Sequence, residues 1–352
     1  MKKILSMIVA VALGSSGDAA ILTVSNSVHL PAQYSSLQEA LDAASDGDTL
    51  LVQGTNLSYG DLNVTKQIHV FGNKSSVNQG VHMNSLSLKN GLCSGSVFES
   101  IRMEGCSNNN DTPGTIAEVT FRRCVVPNMA FTISSTILLE NWLFEGCVFM
   151  STGTNVYSIW GNCNYGSFQN FTFRNCVLGG KITALVNSSI ENCVFMSSVT
   201  ENPTSSCVSF TSYTNNIFYG TSPSEEYYCH NNSYFNNLSY GGNPETFSIP
   251  ASPADSPYNI GGDNQVGSNP DFVAVAINTV FNEAMDFSLQ PGSPALGAGL
   301  DGIDLGVING TGYFRSDLEP TIPVVRSLEL PGGNTVPAEG SFQIIINSVS
   351  HP

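Results

Sequence analysis

Through the middle of the chain, apolar and polar positions recur in one short pattern. A large apolar residue is followed by a charged residue, a small or polar one, then Cys or Asn, then an apolar residue. The copies read LKNGL (88–92), MEGCS (103–107), FRRCV (121–125), FEGCV (144–148), FRNCV (173–177) and IENCV (190–194). Two weaker copies follow, YTNNI (213–217) and YFNNL (234–238). Anchored on the fourth residue, copies lie 15 to 29 residues apart, about 21 on average. A repeat of that length predicts a stacked solenoid. Its short apolar segments predict strands rather than helices.

Reading across the copies predicts columns. Three residues before the anchor stand Leu88, Met103, Phe121, Phe144, Phe173, Ile190, Tyr213 and Tyr234. Five before it stand Leu86, Ile101, Val119, Trp142 and Phe171. Positions two apart share a strand face, so both columns are expected to point inward. The residue between this face and the anchor points outward and alternates in sign: Lys89, Glu104, Arg122, Glu145, Arg174, Glu191. Stacked about 4.8 Å apart, such a column predicts an ionic ladder on one exposed face. The anchors Cys106, Cys124, Cys147, Cys176 and Cys193, then Asn216 and Asn237, predict a column at a bend. Parallel Cβ vectors suit free thiols packed as small hydrophobes better than disulfides. Ligands arranged in a line also suit a metal poorly.

A solenoid must cap its ends. Residues 35–45 predict a helix that does so. Ser35 with Gln38, or Ser36 with Glu39, makes a capping box, and Leu37, Ala40, Leu41 and Ala44 share one face. The turn Asp46-Gly47-Asp48 then leads into a strand carrying Leu50 and Val52. Residues 240–311 lose the repeat, although Phe287-Ser288-Leu289 reads as a short strand. Residues 312–323 read as a linker. Two strand-like runs, VVRSLEL and SFQIIINSVS, lie within 324–352. The expected organisation is therefore a leader (1–19), a β-helix with its cap (20–311), and a linker with a short C-terminal β segment (312–352).

Composition narrows the function. Charged residues are 11% of the chain, with a formal net charge of −16, against roughly 25% charged residues in an average globular protein. Such a surface disfavours nucleic acid and anionic membranes. Lys2 and Lys3, an apolar run from Ile4 to Leu13, and Gly17-Asp18-Ala19 match a secretory signal peptide. The expected location is secreted or cell-surface, with no membrane span left after leader removal.

Two segments carry a resemblance. YSSLQEALDAASDGDTLLVQG, followed by LNVTKQIHVFGN, resembles the entry region of right-handed parallel β-helix proteins of the pectin-lyase-like class. The run from Asn269 to Gly310 resembles the end of exported bacterial β-helix proteins with variable C-terminal anchoring. The likeness covers roughly residues 30–310. It implies an all-β, right-handed parallel β-helix with an N-terminal capping helix, and export. Activity is less constrained, because the class includes lyases, esterases, hydrolases and non-enzymatic surface proteins.

A lyase of that class needs a basic residue and a cationic partner for the substrate carboxylate. With the ladder residues set aside, Lys66, Lys74, Arg102, Arg123 and Lys181 remain, with Asp61 and Asp111 on the acidic side. No cofactor is expected. Calcium near Asp111 is the one metal candidate, and a solvated turn is the plainer reading. For Asp301 and Asp304 turn chemistry is likewise favoured. The five His are scattered, and His69 reads as an outward strand residue. Trp142 falls in a core column. Tyr157, Trp160 and Tyr165 fall in the longest gap between anchors, where a loop could carry a carbohydrate site. Two functions follow as expectations: a non-enzymatic surface protein binding glycan or another surface component, or a polysaccharide-active enzyme, most plausibly a lyase on acidic glycan.

Overall fold

A computed structural model of the chain describes residues 19–73, 80–108, 113–126, 129–131, 136–150, 157–161, 168–196, 205–221, 223, 229–242, 259–308 and 314–315, and the strand backbones of 324–329 and 345–349. The molecule is a parallel β-helix. Among the described residues its coils stack into an 11-stranded sheet A, a 14-stranded sheet B and a 4-stranded sheet C. Sheet A runs in parallel register from Ile21–Val24 to Ile260–Gly262.

The register of sheet A confirms the inward column from Phe121 onward. Phe121, Phe144, Phe173, Ile190, Tyr213 and Tyr234 are successive partners, and all are buried. Phe121 stacks on Phe144 at 5.3 Å, and Phe144 on Phe173 at 4.8 Å. Above Phe121 stands Phe98, which departs from the sequence reading. Leu88 and Met103 belong instead to two eight-residue strands of sheet B, Val81–Leu88 and Ile101–Asn108. These two strands alternate inward-apolar and outward-polar as sheet A does, so the first two copies of the motif mimic a face they do not occupy.

The same slip corrects the charge ladder. Its structural order is Glu99, Arg122, Glu145, Arg174, Glu191; Lys89 and Glu104 lie outside it. Glu145 sits between two guanidinium groups, 3.1 Å from Arg122 and 3.7 Å from Arg174, and Arg174 lies 3.6 Å from Glu191.

Two bends flank each sheet A strand. One holds Arg123, Gly146, Asn175, Asn192, Asn215, Asn236 and Asp263, all at positive φ. The other holds Glu118, Asn141, Asn170, Asn187, Phe210 and Asn231, also at positive φ. Asn dominates because its short polar side chain tolerates the left-handed region. Immediately after the first bend come the inward anchors. Cys124, Cys147, Cys176 and Cys193 donate S–H to the carbonyls of Phe98, Phe121, Phe144 and Phe173 at 3.3–3.6 Å. Asn216 and Asn237 make the same contact to Ile190 and Tyr213 at 2.9 Å. Cys106 is again displaced: it pairs with Leu86 and Met129 inside sheet B. All these thiols are free and buried. Burial raises the pKa of Cys106, Cys124 and Cys176, and pushes Cys93 up to about 11. Cys207, outside the column, is disulfide-bonded.

The cap helix spans Leu37–Ala43. Of the two capping boxes, Ser36 with Glu39 is the one whose hydroxyl accepts the backbone N–H. Leu37, Ala40 and Leu41 are buried. A strand at Ile21–Val24, which the pattern reading passed over, precedes the helix and pairs with Thr49–Val52.

At the other end, one further coil is completed by Ile260–Gly262 and Gln265–Val266. The chain then turns back along the outside of sheet B. There Val125, Val148, Val177, Val194, Ile217 and Leu238 form an outward apolar stripe. Phe272, Phe281, Met285, Phe287, Leu305 and Val307 pack against that stripe as a strap. Phe287 lies in Asp286–Leu289, which pairs antiparallel with Phe272–Ala274. Further on, Val324–Glu329 and Ile345–Val349 pair antiparallel with each other.

Candidate functional site

Sheet B splits below its two long strands. One track carries the strap. The other runs through Met129–Phe131, Tyr157–Gly161 and Lys181–Thr183. Tyr157 and Trp160 therefore lie on a strand fixed on both sides, where the sequence reading expected a loop. Tyr165 lies outside the described residues.

Alternation buries Ile159 and sends Trp160 outward, opposite Ala130, while Ser158, at a shift in register, is buried out of step with it. A register shift between Tyr157 and Ile159 puts the Tyr157 ring near Trp160, with centroids 6.5 Å apart at 65°. The buried Lys181 places its Nζ 5.5 Å from the Tyr157 centroid, a cation–π contact that fixes the ring from behind. Trp160 is 37% exposed, whereas Trp142 is 1% exposed and donates its indole N–H to the Ile116 carbonyl at 2.9 Å. Trp142 thus lies in the core, as its column implies, and Trp160 lies at the surface.

The remaining candidates have structural work. Lys66 donates to the carbonyls of Ala44 and Asp42, at 2.6 and 3.3 Å, closing the cap helix. Asp61 accepts from the Ser85 hydroxyl at 2.6 Å. Arg123 occupies a positive-φ bend and is buried. Asp304 accepts from the Gly297 N–H at 2.7 Å, and Asp301 sits at φ 62° in a turn. His69 faces outward, and burial lowers its pKa. Lys74 and Asp111, with the calcium candidate, fall outside the described residues.

The structure also assembles a group that the motif reading dispersed. His82 and Arg102 are register partners on the two long strands of sheet B, and Glu104 lies two residues beyond Arg102 on the same face. His82 Nε2 is 3.0 Å from Glu104 Oε1. Both Arg102 amino groups lie 3.8 Å from the Met150 sulfur. Assigning Glu104 to the ladder concealed this cluster. The usable signal was the alternation in VHMN and IRME, which places His82 and Asn84 beside Arg102 and Glu104.

Among the described residues no group of three His, Cys, Asp or Glu could hold a metal ion, and no helix is long and apolar enough to cross a membrane. Compared with known proteins, the chain matches no family model and no curated protein.

Proposed function

We propose that this chain is a non-enzymatic β-helix protein of the cell exterior that binds glycan at the Tyr157–Trp160 face. The observation that carries the reading is an outward tryptophan on a strand held between two neighbours, with a tyrosine ring set at its edge. Aromatic faces bury large area at little entropic cost when the backbone beneath them is rigid. With a net charge of −16, a neutral oligosaccharide is the fitting ligand class. Export and surface location rest on the leader-like N-terminus, and the pectin-lyase-like kinship rests on the two resembling segments.

The test is calorimetric titration of a panel of neutral and acidic oligosaccharides, followed in parallel by tryptophan fluorescence. Saturable binding of a neutral member, weakened about tenfold or more by Trp160→Ala and less by Trp160→Phe, supports the reading. Binding unchanged in Trp160→Ala, or no binding across the panel, refutes it.

A polysaccharide-active enzyme is the second reading. The His82–Glu104 pair beside Arg102 favours it, since a hydrogen-bonded imidazole and a neighbouring cation are acid–base components. Ultraviolet absorbance from unsaturated products on acidic polysaccharides, lost in His82→Gln, would replace the first reading with this one.

A further inference from the structure

The bend that leads into the sheet A strands holds Glu118, Asn141, Asn170, Asn187, Phe210 and Asn231, all at positive φ. Phe210 departs from the rest. Its φ is 52°, and its side chain is 54% exposed. Asn enters the left-handed region readily because its short amide bonds locally, whereas a bulky side chain is an outlier there. At that exposure, packing does not offset the strain. Hydrogen bonds on both sides impose the conformation. The Ser209 N–H donates to the Leu185 carbonyl at 2.9 Å, the Phe210 N–H to the His230 carbonyl at 3.2 Å, and the Thr211 N–H to the Asn232 side-chain oxygen at 3.0 Å. The fold thus holds an aromatic ring out at a corner where its neighbours carry short polar groups.

The surroundings are polar and uncharged. The His230 ring stands edge-to-face with Phe210, with centroids 5.6 Å apart at 85°. The Asn231 amide nitrogen lies 3.0 Å from His230 Nδ1. With Nδ1 accepting from that amide, Nε2 carries the hydrogen and is a donor beside the ring. Asn187 is exposed at the same bend one coil earlier. Ser212 and Ser233, two residues beyond Phe210 and Asn231, are register partners and partly exposed. From Asn192 to Gly262 the described residues include no Asp, Glu, Lys or Arg.

We infer that the Phe210 corner is a second binding site, separate from the Tyr157–Trp160 face, that stacks a ring of a neutral saccharide on Phe210 and meets its hydroxyls with His230 and the flanking Asn side chains. The chemistry of the corner selects this class. An aromatic ring offers apolar area to the C–H face of a sugar, and neutral donors and acceptors around it suit hydroxyls. An acidic ligand meets no cation there and approaches a chain of net charge −16. A stable protein partner needs about 800 Å² on each side with an apolar centre. Phe210 is the one large exposed hydrophobic side chain of this bend. Phe210→Asn would serve the fold better, which puts the use of the ring outside the fold.

The test uses the full chain carrying Trp160→Ala, so its outcome is independent of the first face. Cellotetraose, xylotetraose, mannotetraose and maltotetraose are titrated by calorimetry. At least one is expected to bind saturably, with affinity about tenfold or more lower when Phe210→Asn is added and retained with Phe210→Trp. Phe210→Asn is also expected to raise the urea midpoint, because it gives the bend the residue type that its neighbours use. That second readout separates a binding role from a packing role. A lowered urea midpoint or a failure of Phe210→Asn to fold would show that the ring serves the fold, and would overturn the proposal. So would no binding by any of the four sugars, or equal affinity with and without Phe210→Asn. Sedimentation velocity tests the competing occupant. A dimer abolished by Phe210→Asn, with saccharide binding unmoved, would assign the corner to a second copy of the chain instead.

Discussion

The Asn237 side-chain oxygen accepts two hydrogen bonds from Asn216, one from its backbone N–H at 2.9 Å and one from its amide at 3.0 Å. Asn216 does the same for the coil before, accepting the Cys193 N–H at 2.8 Å while donating to the Ile190 carbonyl at 2.9 Å. Cys193 continues the scheme with sulfur: the Cys176 N–H reaches its Sγ at 3.4 Å. Thiol and amide are thus alternative solutions to one problem, the backbone groups left over at a bend. Asn216→Ala should cost about 2–4 kcal/mol, because it leaves a buried donor and a buried acceptor unmet. Asn216→Cys should cost clearly less, since sulfur serves both contacts one coil away. Urea unfolding of the two variants checks the order, and equal losses would contradict the equivalence.

The cysteine column should be chemically silent in the folded protein. Cys93, Cys106, Cys124, Cys147, Cys176, Cys193 and Cys229 are all buried. The thiolate is the reactive species. Burial raises the thiol pKa at Cys93, Cys106, Cys124 and Cys176. At Cys147 burial acts the same way, but hydrogen bonds from Cys124 and Cys176 outweigh it and lower the value, so that thiol is protected by its inaccessibility alone. Ellman's reagent at pH 8 should therefore react with none of these seven in the native state and with all of them in denaturant. Rapid native labelling of any ladder cysteine, located by peptide mapping, would count against the packing described.

Glu145 is the member of the charge ladder bracketed by two arginines. The pairs are partly exposed, so each is expected to contribute about 0.2–1 kcal/mol. A double-mutant cycle over Arg122→Ala and Glu145→Ala should give a coupling in that range, reduced by 0.5 M salt. A coupling of zero at low salt would reduce the ladder to a pattern without energy.

Gly306 fastens the strap. Its φ is +84°, and a Cβ there would meet Ile217 Cδ1 at 2.8 Å and Val194 Cγ2 at 3.4 Å. Its N–H donates to the Asn215 carbonyl at 2.9 Å. Gly306→Ala combines left-handed strain with overpacking and should cost about 1–3 kcal/mol. Limited proteolysis should then cut first within residues 270–308. Unchanged stability and an unchanged cleavage pattern would show that the strap is not held there.

Burial lowers the His69 pKa from its ordinary 6.5. The unfolded chain therefore takes up this proton first as pH falls. The stability associated with a neutral His69 is complete above pH 6.5 and declines below it, through the lowered folded value. The urea midpoint of the protein should fall between pH 7.5 and 5.5 by more than that of His69→Gln, measured side by side.

The sequence disclosed most of the scaffold because β-helix columns repeat their chemistry. Phe121, Phe144 and Phe173 are recognisable by size alone, and Arg122, Glu145, Arg174 and Glu191 by alternating sign. The first two copies were misplaced because an alternating strand looks the same on either sheet. Only the stacking register distinguishes Met103 from Phe98 and Glu104 from Glu99. That one-coil error scattered His82, Arg102 and Glu104. Tyr157 and Trp160 were singled out by their place in a long gap, but their strand was not legible. It consists of five residues, Tyr157–Gly161, and follows a parallel partner whose register lies 30 positions earlier, Met129 opposite Ile159, rather than a local pattern. Of the strap only the strand at Phe287-Ser288-Leu289 was legible. Its packing was not, because Phe272, Phe281 and Phe287 have no period and their partners are valines far upstream.

The strap also gives the chain a direction of assembly. Each coil rests on the one before it, so the solenoid can lengthen through contacts a few tens of residues apart. Strap closure instead joins Asn175 to Val307, 132 residues later, and Asn215 to Leu300, 85 residues later. Contacts that distant form late, after the loop entropy has been met. During synthesis from the N-terminus, the stripe from Val125 to Leu238 is thus complete and bare before its cover exists. For that interval the nascent molecule presents a row of apolar, mostly β-branched side chains to its surroundings, the kind of surface on which neighbouring chains associate.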